Sequence, residues 1–144
     1  MEKVRIGIDI GKVIIGGPSE LPDTSFFGDN FLDTPPIPDS FESIRLLAEE
    51  FDVWIISKCG QKVQDRSLLW LAEYRFFEKT GVNPEQVLFC RKRTDKAPLA
   101  QSLGLRVFID DRADIIASME EAVEFPLLFS SWPEALRALK NQGF

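Results

Sequence analysis

Four polar groups in this chain follow or flank short apolar runs in a way that suits catalysis on an anionic substrate. Asp9 follows the run 4–8, Ser57-Lys58 follows 53–56, and the pair Asp110-Asp111 follows 107–109; Lys96 opens a helical stretch leading toward the last of these. A carboxylate can attack phosphorus or ligate a hard cation, a hydroxyl and an ammonium can hold phosphoryl oxygens, and an acidic pair suits a divalent ion. Each residue alone also has a plain reading. Asp9 can be a turn acid, Ser57 a turn or cap residue, and Lys96 a solvated helix-end cation. Taken in order, they look like one site, because ligands of open parallel sheets sit beyond the carboxyl ends of the strands.

The elements that must position them follow from periodicity. Strands are expected at 4–10, 52–57, 86–90, 106–110 and 125–129. Helices are expected at 40–51 with Asp39 as N-cap, at 65–80 closed by Gly81, and at about 96–103, 112–119 and 132–141. Apolar strands alternating with amphipathic helices describe an α/β fold, a parallel sheet with crossover helices on both faces. Trp54, Trp70 and Trp132 read as core, with Trp70 in an apolar helical stretch.

With 144 residues, 44% hydrophobic and 28% charged, the chain has the size and mix of one domain spanning 1–144. A net charge of −6 argues against a surface devoted to nucleic acid or anionic membrane. No apolar run reaches membrane-spanning length, and the first residues enter a strand without a leader, so no membrane partner is expected. Cys59 and Cys90 form no disulfide framework, which makes a reducing cytoplasm the expectation. With no histidine present to activate it, Cys59 is a poor candidate nucleophile despite its place near the site.

Residues 16–38 interrupt the alternation with five of the nine prolines and no cation, alongside Phe26, Phe27 and Phe31. A stretch of this length is either a surface excursion pinned by its phenylalanines or a flap over a ligand. Nine of the 17 cations, Arg91-Lys92-Arg93 the densest run, follow expected strand ends and would gather at one edge of the sheet. Lys58, Arg66, Arg93 and Arg112 are the candidate substrate contacts, the arginines because a planar fork suits phosphate oxygens.

The motifs 6–13 (IGIDIGKV), 53–57 (VWIIS), Lys96 in 94–98 (TDKAP) and 107–111 (VFIDD) resemble, in order, the four motifs of the haloacid dehalogenase-like phosphohydrolases. A receiver domain fits less well, since its acidic pair belongs at the first strand. The resemblance implies a Rossmann-like three-layer domain, a five-strand sheet in the order 5-4-1-2-3, and no large cap domain. It implies an Mg²⁺-dependent phosphatase in which Asp9 becomes an aspartyl-phosphate while Ser57 and Lys96 bind the transferring group. The ion would be held by Asp9, the Gly11 carbonyl and Asp111, supported by Asp110. The segment 108–112 is similar to nucleotidase and polynucleotide 3′-phosphatase strand ends, which favours a nucleotide or nucleic-acid phosphate end; an open site suits a macromolecular phosphate or closure by a neighbouring subunit. Gly11 departs from the pattern, in which that position is a second Asp acting as general acid. Asp23 or Asp29 could substitute for it, the leaving group could need no proton, or the domain could be an inactive module for ligand or protein binding.

Overall fold

A computed structural model describes residues 2–16 and 30–144. Along the chain run β1 (Arg5–Ile8), α1 (Ser40–Glu50), β2 (Asp52–Lys58), α2 (Gln61–Glu73), α3 (Phe76–Thr80), β3 (Val87–Cys90), α4 (Lys96–Ser102), β4 (Val107–Asp110), α5 (Ala113–Ser118), β5 (Phe125–Leu128) and α6 (Trp132–Asn141). The five strands pair in parallel in the order β3-β2-β1-β4-β5, which is the expected order read from the other edge. Among the described residues, the segments between the strands hold helices and turns and no large cap.

Side-chain alternation splits the core into two layers. Ile6, Ile8, Val53, Ile55, Val107 and Ile109 face one side, against Leu47, Trp70, Phe76 and Trp132 of the helices there. Ile56 and Phe108 face the other, against Ala100 and Ile115. Gly7 belongs to this second face, and a Cβ on it would lie 2.6 Å from both Leu105 Cδ1 and Phe108 Cδ1. The Phe108 ring therefore seats directly on β1 backbone, which brings β4 and its terminal acids close to Asp9.

Two tryptophans hold the chain that follows the nucleophile candidate. Trp132 Nε1 donates to the Val13 carbonyl at 2.9 Å, and Trp70 Nε1 donates to the Thr34 carbonyl at 2.8 Å. Val13 and Ile14 are fully buried, so the segment after Asp9 is a packed turn. Ile37 N bonds the Ile14 carbonyl and Ile15 bridges Pro36, which ties the end of the 16–38 stretch to that turn. Phe31 packs against the core as the pinned reading expects, whereas Phe26, Phe27, Asp23 and Asp29 lie outside the described residues.

The expected 65–80 helix begins earlier, at Gln61, and is broken. Arg75 adopts a left-handed conformation (φ 54°) and separates α2 from α3, while Gly81 (φ 83°) closes α3 as expected. Leu68 and Leu69 are exposed, so the stretch around Trp70 is buried on one face only. Asp39 precedes α1 but sits at φ 67° and makes no side-chain capping bond, which corrects its expected role.

Candidate active site

Three carboxylates meet beyond the carboxyl ends of β1 and β4. Asp9, Asp110 and Asp111 each present an oxygen within 4.8 Å of the others. Lys96, the first residue of α4, is 3% exposed and places Nζ 3.0 Å from Asp9 Oδ1 and 2.8 Å from Asp110 Oδ2. Below it the Phe108 ring lies 5.5 Å from the ammonium. The turn Arg93–Asp95, in which Lys92 N donates to Asp95 Oδ2, delivers Lys96 to this position from β3.

The two consecutive acids have different surroundings, Asp110 as the last residue of β4 and Asp111 just past it. Asp110 is fully buried, and its other oxygen accepts the Arg112 amide at 3.0 Å, so both oxygens are engaged in positioning Lys96 and the start of α5. Asp111, half-buried, lines a cavity of about 410 Å³ together with Asp9, Gly11, Lys12, Ser57, Lys58, Arg93, Lys96 and Arg112. Lys12 holds a left-handed backbone at φ 63°, just after Gly11, an uncommon state for a side-chain-bearing residue and one found often at ligand sites.

Burial pushes the Asp9 carboxyl up to about 7; Lys96 opposes the shift, and the neighbouring charges of Asp110 and Asp111 add to it. Burial and Asp110 likewise raise Asp111. Burial acts to lower the Lys96 ammonium, but the charges of Asp9 and Asp110 outweigh it, so its pKa is raised and it stays protonated. One lysine against three carboxylates leaves a deficit of positive charge. A hard divalent cation fits that deficit and the all-oxygen donor set, with Asp9 and Asp111 placed to hold it and Asp110 behind them.

Cys59 also lines the cavity. Burial pushes its thiol up, against the opposing effects of Arg91 and a hydrogen bond with Ser57, and burial raises the Cys90 thiol as well. Neither is prepared as a thiolate, consistent with the weak case for a cysteine nucleophile.

The structure brings together Asp9, Gly11, Ser57, Lys58, Arg93, Lys96, Asp110, Asp111 and Arg112. Arg66 is not among the cavity-lining residues. Its guanidinium lies over the Phe31 ring at 5.1 Å, and α2 turns Val63 and Ser67 toward the cavity instead. Of the basic run, Arg91 is a tether. Its Nη1 donates to the Cys59 carbonyl at 2.9 Å and its Nη2 to Gln61 Oε1 at 2.8 Å, fixing the loop after β2. The cavity also includes Gly60, Val63, Ser67 and Ile115, which carry no chemical signal in the sequence and emerge only from packing. Lys12 could have been singled out, since it is a cation three residues after the strand-end acid Asp9 and directly after Gly11.

No protein-family model matches this chain, and no curated protein matches it. Among solved structures it is similar to a haloacid dehalogenase-like hydrolase from Burkholderia xenovorans, with a TM-score of 0.57 and 12% identity over 85% of this chain and 78% of that one. It is also similar to a class C acid phosphatase from Bacillus anthracis with tungstate bound, with a TM-score of 0.52 and 15% identity over 89% of this chain and 67% of that one. At these identities the likeness is one of fold, and the fold is that of the haloacid dehalogenase-like hydrolases. Among the described residues no helix is long and apolar enough to cross a membrane.

Proposed function

We propose that this chain is an Mg²⁺-dependent phosphohydrolase in which Asp9 is the nucleophile. The observation that carries the reading is the Lys96 ammonium between Asp9 and Asp110, with Asp111 beside them at the cavity wall. Lys96 takes one Asp9 oxygen and thereby fixes the carboxylate plane. Asp9 attacks phosphorus in line, forming a carboxyl-phosphorus anhydride as the ester oxygen departs with its electron pair; water then hydrolyses the aspartyl-phosphate. In this reading Ser57, 7% exposed near the end of β2 and lining the cavity, donates its hydroxyl to a phosphoryl oxygen. Asp9, Asp111 and the Gly11 carbonyl would hold a divalent ion, which would supply charge neutralisation between carboxylate and phosphate.

Gly11 decides how the leaving group departs. It carries no proton donor, and among the described residues the cavity has no carboxylates other than Asp9 and Asp111. Expulsion then relies on solvent or on a leaving group stable as an anion. The substrate is a phosphate monoester, with a nucleotide or nucleic-acid phosphate end preferred. Gly11 equally favours a second reading, a phosphate-binding or protein-interaction module without turnover. The two readings separate in an assay with Mg²⁺ and an activated aryl phosphate. Metal-dependent release by the wild type, abolished in Asp9→Asn, supports the enzyme; equal background from both proteins supports the module.

A further inference from the structure

Two arginines at the cavity rim share one carboxylate. Arg112 Nε lies 3.1 Å from Asp114 Oδ1, and Arg93 Nη1 lies 3.6 Å from Asp114 Oδ2. Arg93 comes from the turn before α4 and Arg112 from the residue before α5, so the fold gathers them from separate segments. Both line the cavity, whereas Asp114 does not. Both side chains are about half exposed, at 49% and 47%. Two guanidiniums against one carboxylate leave a positive charge unmatched within that trio.

This charge belongs to a different ion-pair group from the one at Asp9. Lys96 contacts Asp9 and Asp110, whereas both arginines contact Asp114, a carboxylate that does not line the cavity. Their position is nonetheless fixed relative to the nucleophile. The Arg112 amide is bonded to Asp110, and Arg93 stands three residues before Lys96. The 410 Å³ cavity lies in the range of about 300–1,000 Å³ that accommodates small-molecule ligands, so it has room for more than a phosphoryl group.

We propose that Arg93 and Arg112 form a second anion subsite, so that the preferred substrate carries, beyond its reacting phosphate, another anionic group such as a phosphate or a carboxylate. The proposal rests on the phosphohydrolase reading, since it takes the site at Asp9 as the first anion position. Planar guanidiniums suit either group, and the spacing between the two positions selects among substrates.

Calorimetric titration of the Mg²⁺-loaded protein with alkylphosphonates tests this. One arm uses α,ω-bisphosphonates of increasing chain length, a second uses ω-carboxyalkylphosphonates, and monophosphonates of matched length are the reference. At one preferred length the second anion tightens binding about 10-fold, the effect of a charge-assisted contact at a half-exposed site, and Arg93→Ala or Arg112→Ala removes most of that gain. The arm showing the larger gain identifies the second group. A gain absent at every length, or equal at every length and untouched by the substitutions, overturns the subsite while leaving the phosphate site standing. If no phosphonate binds at all, the phosphohydrolase reading falls and takes the subsite with it.

Discussion

Replacing Lys96 by methionine removes the positive charge between Asp9 and Asp110 while keeping most of the side-chain volume. Both carboxylates are buried, Asp110 completely, and the ammonium lies 3.0 and 2.8 Å from them. Taking one partner from a buried ion pair typically costs about 3–5 kcal/mol, because an uncompensated charge remains. Against a domain stability of about 5–15 kcal/mol the variant stays folded but weakened. The loss depends on pH with a definite sign. Burial already raises the Asp9 carboxyl to about 7 against the opposing charge of Lys96, and without that ammonium it moves further up in the folded protein. Such a group favours the fold while protonated and withdraws that support as pH rises through the folded pKa. Metal-free urea denaturation of Lys96→Met therefore shows a larger deficit relative to wild type at pH 8 than at pH 5. Adding Asp110→Asn removes one of the orphaned charges, and the double variant recovers a coupling of about 0.5–3 kcal/mol at pH 8. A deficit below about 1 kcal/mol, or one identical at the two pH values, refutes the buried triad.

Gly11→Asp tests the missing acid. A Cβ at this position meets nothing within 4 Å and the backbone is not left-handed, so a carboxylate is accommodated. Turnover of unactivated alkyl phosphates rises by about 10²-fold or more, with a smaller gain on aryl phosphates of good leaving groups; equal or lower rates on both classes contradict the reading. In the metal-free wild type, the Asp9 carboxyl raised to about 7 makes stability fall as pH increases through neutrality, and Mg²⁺ flattens that slope, as melting at pH 5 and 8 will show. Gly7→Ala forces a methyl against Leu105 and Phe108 and costs about 1–3 kcal/mol in chemical denaturation; a neutral result means these two side chains do not seat on Gly7 this closely.

The strands and the polar groups at their ends are legible in the sequence because apolar runs and strand-end polarity are local signals, whereas the strand order follows only from the resemblance of the four motifs taken together. What escapes the sequence depends on side chains meeting across the fold. Nothing between 65 and 80 breaks helical periodicity, yet Arg75 turns left-handed there; beside it, Trp70 and Tyr74 hydrogen-bond to carbonyls in the stretch 32–34 and Phe76 is fully buried. Asp110 and Asp111 are adjacent acids in the sequence, yet the first, the last residue of β4, is fully buried and the second, just past the strand, lines the cavity. Arg66 misses the cavity by helical phase, since Val63 and Ser67, four apart, take the inward face. Arg91 is indistinguishable from Arg93 in a basic run, but one clamps a loop and the other joins Asp114.

The most direct test of a phosphoryl site built on Asp9 is thermal melting with beryllium fluoride, which mimics a phosphoryl group on a carboxylate. With Mg²⁺ present, the wild type should gain several degrees, in line with about 2.7 kcal/mol at a hundredfold excess over Kd. The shift should vanish without Mg²⁺ and in Asp9→Asn. An unchanged melting temperature in the wild type, or an equal shift in the variant, contradicts the account.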